Sequence, residues 1–137
     1  MLDLFAGSGA LGLEALSRGA GHVWFVEQSR RAAEAIEAVA REWRETSLTV
    51  ARADAVRWLE HRPAAAPFFE IVFLDPPYDS DLLSAAATAL ARSGALAPDA
   101  RIYVERRARD ELPALPEGWK ELRAGQAGEV GYHLFAT

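Results

Sequence analysis

Met1-Leu2-Asp3-Leu4-Phe5-Ala6-Gly7-Ser8-Gly9-Ala10-Leu11-Gly12 is the stretch on which the fold turns. A short apolar run, a turn with two glycines and then good helix formers predict a strand, a tight loop and a helix over residues 10–18. That order brings backbone N–H groups and the positive end of a helix to one sheet edge, where a nucleotide-like ligand is held. Gly7, Gly9 and Gly12 have the spacing of the dinucleotide fingerprint. Glu27 ends the next apolar run about 20 residues on, as that fingerprint requires. Alone, the glycine pattern serves a nicotinamide-dependent enzyme equally well.

Phe69-Glu70-Ile71-Val72-Phe73-Leu74-Asp75-Pro76-Pro77-Tyr78 narrows the reading. A β-prone run that stops at a carboxylate and two prolines reads as a buried strand delivering a rigid loop to the carboxyl edge of a sheet. Open α/β sheets bind their ligands at that edge. The prolines fix φ and donate no N–H, so the Asp75 carboxylate and the Pro76 carbonyl can stand as paired acceptors with the Tyr78 ring beside them. The set suits a planar group bearing an NH2. Hydride transfer has no use for this loop, nor for Asp3 ahead of the glycines. The plain alternatives are a proline turn here and, for Asp54 before a short helix, a simple N-cap.

Outside these stretches apolar strands alternate with amphipathic helices, without repeat or linker, so residues 1–137 form a single α/β domain. Strands are expected at 22–26, 48–50 and 101–104. Ser29 can cap a long helix to Trp43 whose apolar face comprises Ala32, Ala35, Ile36, Val39 and Ala40. A short helix follows Asp54, and another spans residues 81–91. The runs 119–123 and 130–135, joined by residues 124–129, predict an antiparallel pair closing an otherwise parallel sheet. Trp24, Trp43, Trp58 and Trp119 fall at packing positions. Glu105-Arg106-Arg107 with Arg109 reads as a solvated charge cluster or a phosphate contact.

Composition removes several chemistries. Fifteen basic against twenty acidic residues leave a net charge of −5, the wrong sign for a chain that grips a polyanion unaided. A local basic face or a further segment would have to supply that grip. The absence of cysteine rules out disulfides and thiolate metal sites and is compatible with a reducing compartment. His22, His61 and His133 lack metal-ligand spacing, so no metal is predicted. With no apolar run of about 18 residues and no signal-like segment, a cytoplasmic protein without a membrane span is expected.

The chain resembles the class I S-adenosylmethionine methyltransferases and, more narrowly, the bacterial 16S ribosomal RNA guanine-N2 methyltransferases of the RsmD type. The resemblance rests on residues 3–12, 14–20, 25–27, 53–55 and 72–78. It implies a Rossmann-like sandwich with a mostly parallel seven-stranded sheet and a C-terminal antiparallel hairpin. It also implies S-adenosylmethionine as cofactor. Asp3 would hold its amino acid end, Phe5, Ala6, Gly7, Ser8 and Gly9 would lie along it, Glu27 at its ribose hydroxyls with Gln28 also in the cofactor site, and Asp54 and Ala55 near its adenine. Asp75, Pro76, Pro77 and Tyr78 would receive the target amine, in 16S ribosomal RNA or the small ribosomal subunit, with the enzyme acting as a monomer. Without a cysteine nucleophile, methylation at a pyrimidine ring carbon is excluded, so the acceptor must carry its own lone pair. Members of the family begin some forty residues earlier with a basic segment, which predicts an N-terminal extension offsetting the −5. Adenine-N6 methylation of DNA and a cofactor-binding fragment without activity are the other readings.

Overall fold

The structure, a computed structural model, describes residues 1–77 and 81–137; the Tyr78 expectation lies outside them. Strands β1 (Leu2–Leu4), β2 (Val23–Val26), β3 (Leu48–Ala51), β4 (Phe69–Leu74), β5 (Leu96–Arg107), β6 (Lys120–Ala127) and β7 (Val130–Ala136) form one sheet in the order β3-β2-β1-β4-β5-β7-β6. The first five pair in parallel, and β7 runs antiparallel to both of its neighbours. The order reverses between β1 and β4, which opens a crevice at their carboxyl ends.

Helices α1 (Ala10–Ser17) and α2 (Arg30–Trp43) pack on one face, α3 (Ala55–Glu60) and α4 (Leu82–Arg92) on the other. Side chains alternate along each strand, so the two faces are built from interleaved residues. Leu2, Leu4, Val72, Leu74, Ile102 and Val104 join the α3–α4 core, whereas Val23 and Phe25 join Leu13, Leu16 and Ile36 under α1 and α2. Asp3, between Leu2 and Leu4, necessarily faces α1. Its carboxylate is 2% exposed, which makes it the one buried acid of the sheet among the described residues.

Gly12 sets how closely α1 can approach. A Cβ built there would lie 2.3 Å and 2.7 Å from Phe25 ring carbons and 3.0 Å from Asp3 Oδ2. Gly12→Ala must therefore push α1 off the sheet, and a cost of about 1–3 kcal/mol is expected. Thermal unfolding, read against the milder Gly21→Ala whose Cβ meets nothing within 4 Å, checks it.

Four expectations need correction. Ser29 Oγ does accept the Ala32 N–H at 3.3 Å, but the buried stripe of α2 is Ala33, Ile36 and Ala40 while Ala35 is exposed. One residue is 100° of helix, which carries Ala35 off the face centred on Ile36. Trp43 ends the helix 52% exposed, whereas Trp24, Trp58 and Phe69 pack ring to ring at 5.9–6.4 Å. The fifth strand is far longer than residues 101–104: pairing with β7 extends it through Glu105, Arg106 and Arg107. Likewise the expected 124–129 connection is mostly strand, because β6 runs to Ala127 and only Gly128, at φ 61°, and Glu129 form the turn.

Candidate active site

Four strand ends converge on the crevice. At the end of β1 the backbone adopts positive φ at Phe5 (59°), Gly7 (58°) and Gly9 (78°). A bulky residue in that region is strained; here it turns the chain sharply between sheet and helix. The Gly9 N–H donates to the Ala6 carbonyl at 2.8 Å and the Gly9 carbonyl accepts from Leu13 at 2.8 Å, so Gly9 closes the loop and starts α1. A Cβ at Gly9 would meet Ile36 at 2.8 Å, while one at Gly7 would meet nothing nearer than the Phe5 carbonyl at 3.9 Å. Gly9 is needed for packing, and Gly7 leaves open space toward the crevice.

Glu27 ties the loop to the end of β2. Its Oε1 accepts the Gly7 N–H at 2.9 Å and its Oε2 the Ser29 N–H at 2.6 Å. A carboxylate has about four acceptor positions, so one lone pair on each oxygen remains for a ligand. At the end of β3, Asp54 caps α3, with Oδ1 accepting the Arg57 N–H at 3.0 Å. The N-cap and binding readings of Asp54 are compatible, because its second oxygen is not used by the cap.

The cleft enclosed by these ends has a volume of about 390 Å³. Of the residues singled out in the sequence, Phe5, Gly7, Glu27, Gln28, Asp54, Ala55, Asp75, Pro76 and Pro77 line it. Asp3, Ala6, Ser8 and Gly9 do not. Val26, Ala53 and Leu82 complete the wall; as ordinary apolar residues at element ends they carry no sequence signal for binding. Asp3 lies beneath, with Oδ2 accepting the Gly12 N–H at 3.1 Å, a negative charge under the first turn of α1.

Electrostatics discriminate between ligands. Glu27, Asp54 and Asp75 line the cleft, and among the described residues no Lys, Arg or His does. A pyrophosphate would be repelled, whereas a cationic nucleoside derivative would be attracted. The sheet agrees, since β7 enters antiparallel between β5 and β6 where a dinucleotide fold needs further parallel strands. Burial, together with the nearby Glu105 carboxyl and its hydrogen bond, pushes the Asp75 carboxyl up to about 6. Burial pushes Asp3 up to about 7, against the stabilising Gly12 N–H and reinforced by the charges of Asp75 and Glu27.

The shift at Asp3 has a sign that can be measured. Its folded pKa exceeds the unfolded value near 4, so the native state binds the extra proton, and stability falls as pH rises from about 4 to about 7. Above pH 7 the full penalty stands. Asp3→Asn keeps an acceptor for Gly12 and removes the charge. It is expected to match the parent at pH 4 and to exceed it at pH 8 by on the order of a few kcal/mol, read by urea unfolding at the two pH values.

Among the described residues no group could hold a metal ion, and no helix is long and apolar enough to cross a membrane. The ribosomal RNA small subunit methyltransferase D of Escherichia coli K12 is 37% identical over 134 residues, covering 98% of this chain and 66% of that protein. The protein of the same name from Haemophilus influenzae is 37% identical over 136 residues, covering 98% and 69%. The chain thus spans about two thirds of the length of these relatives. The solved yhhF structure from Escherichia coli superposes with a TM-score of 0.88 at 37% identity, covering 98% of this chain and 75% of that one. A family model described as Conserved hypothetical protein 95 matches residues 1–136. With its methyltransferase sheet order, its glycine loop and its Asp-Pro-Pro turn, the chain belongs to that family, the one whose RsmD-type pattern its sequence resembles.

Proposed function

We propose that this domain transfers a methyl group from S-adenosylmethionine to the exocyclic N2 amine of a guanine in small-subunit ribosomal RNA. The observation that carries the reading is the acidic cleft, without Lys, Arg or His among the described residues, whose lining includes Asp75 and Pro76. The cofactor, when bound, supplies an electrophilic methyl group on a sulfonium. Its net positive charge fits a lining of three carboxylates, and its nucleoside fits a cleft of about 390 Å³ beside a glycine loop with room at Gly7. Glu27 would hold the ribose hydroxyls on its free lone pairs, with Gln28 beside it. Asp54 and Ala55 would border the adenine. Asp3 would act from below, through the Gly12 N–H and the glycine loop.

An amine on a purine is a poor nucleophile because its lone pair is delocalised into the ring. Asp75 and the Pro76 carbonyl, each accepting one N–H, favour a pyramidal nitrogen whose lone pair points into the cleft. The bond to an ionised carboxylate is roughly twice as strong as a neutral one. Holding the amine at that point supplies most of the catalysis, because the chemistry is a single displacement. The base must leave its stack to arrive, at a cost of a few kcal/mol. Small-subunit ribosomal RNA is supported by the names of the relatives; guanine rests on the RsmD-type resemblance of the sequence, and the loop itself would equally accept adenine N6.

The test is methyl transfer from labelled S-adenosylmethionine to unmodified small ribosomal subunits and to naked ribosomal RNA, with products digested to nucleosides. N2-methylguanosine is the expected product, and N6-methyladenosine would overturn the acceptor. The length shared with the relatives favours one other reading, a cofactor-binding domain that needs further chain to act. Binding of S-adenosylhomocysteine without transfer, regained on extending the chain, would establish it.

A further inference from the structure

Glu105 was not among the residues expected at the site, and it does not line the cofactor cleft. The sheet register nevertheless brings it to Asp75. Phe73 pairs with Tyr103 and Leu74 with Val104, so the next position on β4 falls beside the next on β5. Phe73, Asp75, Tyr103 and Glu105 thus share one face. The Tyr103 hydroxyl donates to Glu105 Oε1 at 2.9 Å, and the register sets the Glu105 carboxyl beside that of Asp75, whose proton affinity it raises. Two carboxyl groups can share a hydrogen bond only with a proton between them.

The surroundings hold this unit in place. The Tyr103 ring meets Phe73 edge-on at 6.0 Å and lies stacked on Tyr132 at 6.5 Å. Tyr132 pairs with Glu105 across β5 and β7 and lies over Gly125, where a Cβ would fall 2.3 Å from its hydroxyl. Glu105 lines a second cavity of about 170 Å³ behind the Pro76–Pro77 wall of the cleft. One end of the pair faces the amine site and the other a separate space.

Building on the proposed function, we propose that Glu105 is a positioning residue that makes Asp75 and itself a single proton-accepting carboxyl pair for the methylated amine. Once the nitrogen carries its new carbon it is a cation. Its N–H bond breaks, the electron pair stays on nitrogen, and the proton bonds to an Asp75 oxygen. The neutralised Asp75 donates to Glu105, and the proton leaves to water through the second cavity. A carboxyl raised to about 6 by burial and by Glu105 is a stronger acceptor than an ordinary aspartate. The charged or titratable groups facing the pair are Asp3 on β1, Tyr103 and Arg107 on β5, and Tyr132 on β7, with Glu27, just past the end of β2, acting on Asp3. Arg106 and Asp110 border the second cavity. The Arg106 guanidinium is engaged by His133 and by the carbonyls of Arg107, Ala108 and Asp110.

The Asp75 carboxyl is titrated by carbon NMR in the unliganded chain, in parent, Glu105→Gln and Tyr103→Phe forms. The Gln variant is expected to titrate lower by about one pH unit or more, since the repulsion is gone. Tyr103→Phe keeps the ring stack but removes the donor to Glu105, so it should titrate higher. In transfer assays the acid limb of kcat should move down with Glu105→Gln, and its plateau should fall about tenfold or more, with the cofactor KM unchanged. An Asp75 midpoint that stays put in both variants overturns the pair. So does a shifted midpoint with an unchanged acid limb and plateau. If the parent transfers no methyl to any RNA, the proposed function fails instead, and the titration alone decides whether the pair shares a proton.

Discussion

Asp75→Ala is expected to reduce methyl transfer by about a thousandfold or more while leaving S-adenosylhomocysteine affinity within about threefold. In the proposed function the carboxylate is the charged half of the amine's acceptor pair, so its loss removes both orientation and the strong hydrogen bond, and the contacts proposed for the cofactor at Glu27 and Asp54 remain. Single-turnover transfer and calorimetric binding on the same protein separate the two. Equal loss of both would assign Asp75 a structural role. Because the Asp75 carboxyl titrates near 6 and must be ionised to form the charge-assisted bond and to take up a proton, the parent rate should rise with pH through about 6 and level off above it. Stability runs the other way. The folded pKa lies above the unfolded value, so the contribution of this group is greatest at low pH and is lost as pH climbs through 6. Asp75→Asn, which keeps a neutral acceptor but loses the charge, is therefore expected to be strongly impaired yet more stable than the parent at pH 8.

Glu27→Ala has the second largest expected effect, and on the opposite parameter. Removing the carboxylate deletes the proposed ribose acceptor and also strands the N–H groups of Gly7 and Ser29, which donate to it at 2.9 Å and 2.6 Å. Charge-assisted bonds are worth about 1.5–3 kcal/mol each, so cofactor affinity should fall by about 100-fold, with kcat at saturation changed far less. Glu27→Gln retains one acceptor oxygen and can keep only one of the two backbone contacts. Its affinity should fall between the parent and the alanine variant. Calorimetry with S-adenosylhomocysteine reads the series, and equal affinity across all three proteins would remove Glu27 from the binding site.

Much of the site was legible because its residues are grouped along the chain. Gly7, Gly9 and Gly12 act within one turn and one helix, and Asp75, Pro76 and Pro77 follow one strand. Local backbone rules are enough to place them at a sheet edge. Even there, the three glycines turned out to differ in a way that spacing cannot express. Gly12 and Gly9 are required by Phe25 and Ile36, which are distant in sequence, whereas Gly7 faces the cleft. The charge run at Glu105 to Arg107 reads in the sequence as a solvated cluster or a phosphate contact, because nothing local reveals that β7 will pair with it.

The sequence by itself determined the alternation of strands and helices, the glycine loop, the proline loop and the acid on each, since periodicity and backbone restriction act over a few residues. Only the tertiary structure decided which acids share an environment. Burial of Asp3 under α1, the engagement of both Glu27 oxygens, and the meeting of Asp75 with Glu105 depend on strand register and on what covers each face. Carboxyl groups far apart along the chain are brought into one low-dielectric space, and their proton affinities follow from that proximity rather than from residue type.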